Sequence, residues 1–238
     1  MKNKSHFCLR CLVVFILCME LAACMPSQIA NEIPGAIVTN AVTTIPTVTA
    51  TLPVTVAPGT TTSPAAFSCN GVTEIPQAEC VALVALYNST DGATWNDNTN
   101  WLKTATPCDW VGVQCSDDHV TGLDIGSNHL AGSIPPEIGN LSNLTYLDLS
   151  DNQLTGLPPE IGNLSNLSYL YLSGNQLTNL PPEIGNLSNL TDLHLDGNQL
   201  TVLPSEIGDL SLLTILDLSY NQLTAVPPEI GDLSKLTF

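Results

Sequence analysis

The chain of 238 residues carries five lysines and arginines against 22 aspartates and glutamates, a formal net charge of −17 at neutral pH. A chain this acidic repels nucleic-acid phosphates and anionic lipid, so no nucleic-acid partner is expected. The charge also favours solubility. The length alone allows one or two domains.

The N-terminus has the pattern of an export signal over residues 1–23. Lys2, Lys4 and Arg10 supply a basic start, and Cys11–Met19 is an apolar run too short for a comfortable membrane span. Small residues follow the run, as at a signal-peptide cleavage site. The sequence therefore predicts that this segment is removed and that the rest of the chain is exported.

A four-residue motif closes this segment. Leu21-Ala22-Ala23-Cys24 resembles the lipobox of bacterial lipoproteins, in which the cysteine is lipidated and becomes the mature N-terminus. The resemblance implies a protein at the cell surface or outer envelope that touches the membrane only through a lipid anchor on Cys24. The alternative is an ordinary secretory signal cleaved near Ala23, which leaves the protein secreted.

Residues 24–66 are expected to form a linker. Its core, TTIPTVTATLPVTVAPGTTTSPAA, is rich in Thr, Pro, Val and Ala. Scattered prolines and the lack of a helical period argue against a packed domain. If extended like polyproline, about 40 residues would span on the order of 120 Å. The segment is therefore predicted to be either a stalk or a plain disordered spacer.

Residues 67–119 combine a predicted helix with the tryptophans of the chain. Glu79–Tyr87 has helical apolar spacing, and Asn88–Gly92 breaks it. The three tryptophans all fall within this segment: Trp95, Trp101 and Trp110. Their concentration predicts a local core in which they pack and do not serve as a ligand platform.

The same segment holds four cysteines, Cys69, Cys80, Cys108 and Cys115. Four cysteines allow three pairings, and disulfides are the natural interpretation in an oxidising compartment. The last two could close a short loop on themselves, which leaves the first two as the second pair. A zinc site is the alternative, although the spacing lacks a CxxC pair and histidines are few nearby.

From residue 120 onward a unit of 23 or 24 residues recurs, each with the pattern L-x-x-L-x-L-x-x-N-x-L. Five full units and the start of a sixth fill residues 120–238. Alternating leucines such as Leu147 and Leu149 predict a short strand with both side chains pointing inward. A unit this short cannot bury its own apolar face, so the copies must stack, and their strands pair in parallel. The open first strand needs a cover, and residues 67–119 are the expected cap.

The remaining positions of the unit predict its outer wall. Prolines in Pro-Pro-Glu-Ile-Gly-Asn-Leu fix φ and remove donors, so short helical or 3₁₀ turns are expected there. An asparagine in each unit is expected to bond backbone groups at the bend after the strand: Asn128, Asn152, Asn175, Asn198 and Asn221. The predicted fold class is α/β, a solenoid with a curved parallel sheet on its concave side, short turns on its convex side and an N-terminal helical cap.

Two stretches, ALVALYNSTDGATWNDNTNWL and PCDWVGVQC, resemble the N-terminal cap of plant-type extracellular leucine-rich-repeat proteins, receptor-kinase ectodomains among them. Leu130–Pro135 is similar to their first repeats, and the later LPPEIGNL form resembles the 23-residue class of bacteria and of Ras-pathway scaffold proteins. The resemblance covers residues 69–238 and implies a leucine-rich-repeat solenoid that binds a protein or other ligand. It implies no kinase, because the sequence has no Gly-rich loop, HRD or DFG motif.

Side chains that flank the inward leucines are predicted to line the concave face. Tyrosine is common at interfaces because its body is apolar and its tip polar. The candidate ligand-binding residues are three tyrosines with the histidine and acids around them: Tyr146, Tyr169, Tyr171, Asp148, Asp192, His194, Asp196 and Asp217. They would suit an extracellular protein or carbohydrate, in particular a basic one. The alternative is a solvated sheet that simply carries polar and β-prone residues.

Two smaller constellations on this face suggest other chemistry. Ser173, His194 and Asp217 lie on three successive strands, but an open sheet offers neither an oxyanion hole nor exclusion of water. Asp192, His194 and Asp196 alternate on one strand and could hold a divalent cation weakly, although a solvated acidic strand is the preferred interpretation. No enzyme, cofactor or metal is therefore predicted.

The sequence leaves two functions open. The first is a non-enzymatic extracellular recognition module that uses its concave face. The second is a structural or adhesion spacer of the cell envelope without a specific small ligand. Because the last unit stops at Phe238, partway into a strand, either a truncated gene product or an end that dimerises is expected.

Overall fold

The computed structural model describes residues 67–237. The predicted signal peptide (residues 1–23), the linker (24–66) with Cys24, and Phe238 lie outside the described residues, so these predictions stand as they are. In the part described, one α-helix, α1 (Gln77–Ser89), precedes eight strands. The strands are β1 (Val113–Ser116), β2 (His119–Asp124), β3 (Ala131–Ser133), β4 (Tyr146–Asp148), β5 (Gln153–Gly156), β6 (Tyr169–Tyr171), β7 (Asp192–His194) and β8 (Ile215–Asp217).

Six of these strands form the predicted concave sheet, in the order β1-β2-β4-β6-β7-β8. β1 pairs antiparallel with β2, and all later neighbours are parallel. The register is the same from unit to unit, so Leu147, Leu170 and Leu193 lie side by side. Each of these leucines is completely buried, because the sheet hides one face only and the alternating pattern puts leucine there.

Short 3₁₀ helices form the convex wall, as the prolines predicted. They span Pro136–Asn140, Pro159–Asn163, Pro182–Asn186, Ser205–Asp209 and Pro228–Asp232. Successive turns stack closely: a Cβ added to Gly162 would lie 2.4 Å from the carbonyl oxygen of Glu183 in the next unit. The glycine of the turn therefore sets how near two units can approach. From the other side, Ile161 is fully buried in the core.

The asparagine ladder has the structural role that the sequence predicted. Asn175 donates from Nδ2 to the carbonyl oxygens of Leu149 (2.9 Å) and Leu172 (3.1 Å), and its Oδ1 accepts from the backbone N–H of Leu154 at 3.0 Å. The side chain is only 6% exposed. It thus satisfies backbone groups of two adjacent units where the chain turns out of its strand.

A second, two-stranded sheet was not predicted. β3 and β5 pair in parallel beyond the asparagine turns of the first two units, with a register shift between Gly132 and Ser133. Ser133 pairs with Gly156, so the shift leaves Thr155 of β5 without a register partner. Each strand is followed after one further residue by a proline, Pro135 or Pro158, which has no backbone N–H to donate and ends the pairing.

Residues 67–119, here called the N-terminal segment, pack on the first repeat unit through α1, which contacts the turn Pro136–Asn140. The tryptophans form the local core that was predicted: the ring centroids of Trp95 and Trp101 are 4.9 Å apart, and those of Trp101 and Trp110 are 5.1 Å apart. All three are at most 5% exposed. Both expected disulfides are present, Cys69–Cys80 and Cys108–Cys115.

One buried contact joins α1 to β2 of the main sheet. Glu79, on α1, is 3% exposed, and its carboxylate lies 2.6 Å from Nδ1 of His119 and accepts the backbone N–H of Val120 at 2.8 Å. A buried carboxylate is tolerated because it is paired and hydrogen-bonded. The sequence predicted Glu79 at the start of the helix but did not predict its contact with β2.

Candidate binding face on the concave sheet

Three tyrosines from neighbouring strands form a cluster, here called the tyrosine cluster: Tyr146, Tyr169 and Tyr171. Tyr146 and Tyr169 are register partners on β4 and β6, and their ring centroids are 6.3 Å apart. Tyr146 and Tyr171 are 5.6 Å apart. Tyr169 is 42% exposed and the other two are half-buried. The cluster thus offers an aromatic surface that a partner could cover.

The acids around the cluster change the chemistry of its hydroxyls. Burial raises the pKa of Tyr146 to about 12, and the negative charges of Asp148 and Asp124 add to the effect. The hydroxyl of Tyr146 donates to Asp148 at 3.3 Å. Burial, with Asp192 and Asp148, likewise raises the pKa of Tyr171. Both phenols are protonated at physiological pH, as ordinary tyrosines are, and the raised pKa values extend the protonated form to more alkaline pH.

The carboxylates of the face are held by hydroxyls and backbone N–H groups. Asp148 accepts from the N–H and hydroxyl of Ser150 at 2.9 and 2.6 Å. Asp192 accepts from Thr191 Oγ1 at 2.6 Å. Within residues 67–237 the salt bridge present is His119–Glu79, away from this face. The negative charge of the concave face is therefore not neutralised by any described lysine or arginine.

His194 extends the row of rings and brings two further acids together. Its ring centroid lies 4.9 Å from that of Tyr171. His194 and Asp217 are register partners on β7 and β8, and donor atoms of His194, Asp196 and Asp217 all lie within 4.8 Å of one another. The sequence had grouped Asp192 with His194 and Asp196. In the structure Asp217, from the next strand, takes that place.

The hydrolase-like arrangement does not form. The hydroxyl of Ser173 donates to Asp196. A serine nucleophile needs a hydrogen bond to its base, and here the hydroxyl is directed to a carboxylate instead. Ser173 thus serves to orient Asp196.

Two residues outside the predicted set belong to this face or its rim. Asp124, at the end of β2, contributes to the raised pKa of Tyr146. Tyr220 is 87% exposed and has φ +53°, at the position occupied by Gly174 and Gly197 in the two preceding units. A bulky residue with positive φ is uncommon. Comparison of the units by position could have singled out Tyr220, because only that unit carries an aromatic residue there.

Two family descriptions match the repeats. "Leucine-rich repeat region" matches residues 123–202, and "Leucine rich repeat" matches residues 188–238. Both fall on the units whose strands and turns are described above. This chain is a leucine-rich-repeat protein. The matched residues include every member of the tyrosine cluster.

Its relatives include receptor kinases of Arabidopsis thaliana. A probable inactive receptor kinase is 39% identical over 80 residues, which cover 33% of this chain and 12% of the relative. The leucine-rich repeat receptor protein kinase EMS1 is 39% identical over 87 residues, 37% of this chain and 7% of the relative. The chain thus spans about a tenth or less of the length of these curated relatives.

Solved ectodomains give a fuller match. The leucine-rich-repeat ectodomain of the Arabidopsis thaliana receptor kinase SOBIR1 is 28% identical with a TM-score of 0.58, covering 69% of this chain and 91% of that one. A chain of the Arabidopsis thaliana BIR3–SERK2 complex is 31% identical with a TM-score of 0.54, covering 63% and 86%. Among residues 67–237 of the leucine-rich-repeat protein, no helix combines the length and apolar character needed to cross a bilayer.

Proposed function

We propose that this leucine-rich-repeat protein is a non-enzymatic extracellular recognition module that binds a protein partner with a basic segment on its concave face. The observation that carries the proposal is the tyrosine cluster set among carboxylates that no described lysine or arginine neutralises. The fold adds support, since one structural neighbour was solved in the BIR3–SERK2 complex. Leucine-rich-repeat folds present extended concave surfaces that suit such partners.

The chemistry of the face favours a cationic side chain. Tyrosine rings attract a lysine or arginine placed over them within about 6 Å, by about 0.5–1 kcal/mol when exposed and about 2 kcal/mol when desolvated. Asp148 and Asp192 lie beside the rings and would pair with the same charge. The protonated hydroxyl of Tyr171 can donate to a carbonyl group of the partner, whereas that of Tyr146 donates to Asp148.

The N-terminal segment is proposed to cap the solenoid. It adds β1 to the edge of the main sheet and places α1 over the first convex turn. A strand edge and an apolar end are otherwise open to non-specific pairing. With that end covered, the concave strands remain the accessible surface.

Export and anchoring are proposed from residues outside the described range. Two disulfides suit an oxidising compartment. The lipobox-like Leu21–Cys24 would tether the chain, with residues 24–66 as stalk. Labelling of cells with radioactive palmitate should mark the wild-type protein and leave Cys24→Ser unlabelled. Equal labelling of the two would contradict the anchor.

The recognition proposal is tested by replacing the tyrosine cluster with threonine, as Tyr146→Thr, Tyr169→Thr and Tyr171→Thr together. Threonine keeps the β-propensity of the strands but removes the aromatic surface. Loss of central tyrosines costs about 2 kcal/mol or more at such interfaces, so affinity for a partner captured from native envelope or culture fluid should fall at least about 30-fold.

A matched control replaces three exposed hydroxyls in the loops that follow the convex turns of the same repeats, as Ser142→Ala, Ser165→Ala and Ser188→Ala. This variant should bind as tightly as the wild type. Equal binding by the threonine variant would contradict the proposal. Binding that survives protease treatment of the partner but not glycosidase treatment would make the ligand a carbohydrate.

A spacer without a specific ligand is the alternative function. The length of the Thr/Pro-rich segment 24–66 favours it. A spacer depends on reach, so shortening this segment should abolish its action while the threonine variant remains active. The recognition module predicts the opposite pattern.

A further inference from the structure

Beyond the tyrosine cluster, the concave face gathers one imidazole and two carboxylates. His194 ends β7, Asp196 follows it by two residues, and Asp217 is the register partner of His194 on β8. One donor atom from each side chain lies within 4.8 Å of the others. We propose that His194, Asp196 and Asp217 bind a divalent transition-metal ion of the Zn²⁺ type.

The donor set decides the class of ion. Imidazole suits Zn²⁺, Cu²⁺, Fe²⁺ and Ni²⁺, whereas Ca²⁺ and Mg²⁺ take oxygen ligands alone. Zn²⁺ bonds to nitrogen and carboxylate oxygen at about 2.0–2.2 Å, so donors around one ion lie roughly 3–4 Å apart. The donor atoms now lie within 4.8 Å of one another, so the proposal requires the side chains to draw together around the ion. Three protein ligands leave at least one coordination position open toward the concave groove.

Neighbouring groups hold each ligand in place. Ser173 Oγ donates to Oδ1 of Asp196. The N–H and hydroxyl of Ser219 donate to Oδ1 of Asp217 at 2.9 and 2.7 Å, which leaves Oδ2 for an ion. The ring of Tyr171 packs against that of His194. Supporting contacts of this kind orient metal ligands and typically change metal affinity about 10–100-fold when removed.

The other two histidines of residues 67–237 make contacts away from the cluster through Nδ1. Nδ1 of His129 lies 2.7 Å from Asn96 Oδ1, and Nδ1 of His119 lies 2.6 Å from Glu79. Asp192 shares β7 with His194 but accepts from Thr191 and is not part of the cluster. His129 therefore provides a control position outside the cluster.

The test titrates Zn²⁺ into the full chain by calorimetry, without a histidine tag and after chelator treatment. Cysteines outside the two disulfides are first alkylated, because free thiolates also bind zinc. The wild type should bind one ion, and His194→Ala and Asp217→Asn should each weaken binding at least about tenfold. His129→Ala should bind as the wild type does.

Two results would overturn the site: no saturable binding of Zn²⁺ by the wild type, or binding that His194→Ala leaves unchanged. Visible absorption of bound Co²⁺ provides a second measurement, because its d–d bands depend on the ligands and do not require a heat of binding. These bands should be lost in His194→Ala. Circular dichroism checks that each variant keeps its fold. No partner protein enters these measurements, so their outcome is independent of the recognition proposal.

Discussion

The two walls of the solenoid are built from the same repeat but differ in how much they vary. On the convex side Pro-Pro-Glu-Ile-Gly-Asn recurs without change in three successive turns. On the concave side the outward strand positions read Tyr and Asp, then Tyr and Tyr, Asp and His, and Ile and Asp. Where each copy must fit against the next, the sequence is uniform. Where a side chain projects from the open face of the sheet, it is free to differ.

The cause of the difference is packing. Convex turns approach so closely that a single Cβ at Gly162 would meet the backbone of the next unit. Such close-packed positions allow few residue types. The outward concave positions have no such neighbour above them, so residues there can serve recognition without disturbing the stack.

The largest expected loss of stability comes from replacing a leucine on the buried side of a concave strand. Leu170 lies between Tyr169 and Tyr171 and is fully buried, so Leu170→Ala should lower the free energy of unfolding by about 2–5 kcal/mol. Urea denaturation measures the change. Tyr169→Thr, one residue away but 42% exposed, is the control and should cost far less. Equal losses would show that the two faces of the strand are not separable.

A smaller effect is expected at the convex turns. Gly162→Ala should lower the free energy of unfolding by about 1–3 kcal/mol, because the new methyl group would press on the backbone of the next unit. Gly231→Ala, at the same place in the last turn, has no atom within 4 Å of the added Cβ and should change stability by less than about 0.5 kcal/mol. If both substitutions cost the same, stacking does not explain the glycine.

The smallest effect concerns alkaline pH. Because burial and nearby acids raise the pKa of Tyr146 to about 12, above the ordinary value of 10.0, folding favours its protonated form. The stabilisation is present below about pH 10 and is lost as the pH rises toward 12. In near-ultraviolet absorbance titrations, Tyr146→Phe should remove a phenolate that forms near pH 12 in the wild type. If the variant still forms phenolate at that pH to the same extent, the assignment to Tyr146 is wrong.

Most of the fold could be predicted because the same strand, bend and turn pattern recurs in five full units of the sequence. The L-x-L strands, proline turns and asparagine bends follow from local rules, and the short Cys108–Cys115 loop favoured its own disulfide. The β3–β5 pairing could not be predicted, because these short segments lie next to prolines and pair with a register shift that no local pattern marks.

The binding face was harder to assemble from sequence. Period-two alternation placed the tyrosines on one surface, and parallel register brought them together. Which acid lies near His194 depends on both strand register and side-chain rotamer. Asp217 from the next strand lies beside it, whereas Asp192 on the same strand accepts a hydrogen bond from Thr191. Glu79 and His119 are 40 residues apart, and no local pattern marks their contact.

We propose that a partner binds the tyrosine cluster and not the outer side of the repeats. A photo-crosslinking amino acid at position 169 is compared with the same group at the exposed position 165, in the loop that follows the turn Pro159–Asn163, in the presence of native envelope or culture fluid. We expect a discrete crosslinked partner from position 169 and none from position 165. A partner crosslinked from position 165 and absent from position 169 would contradict it.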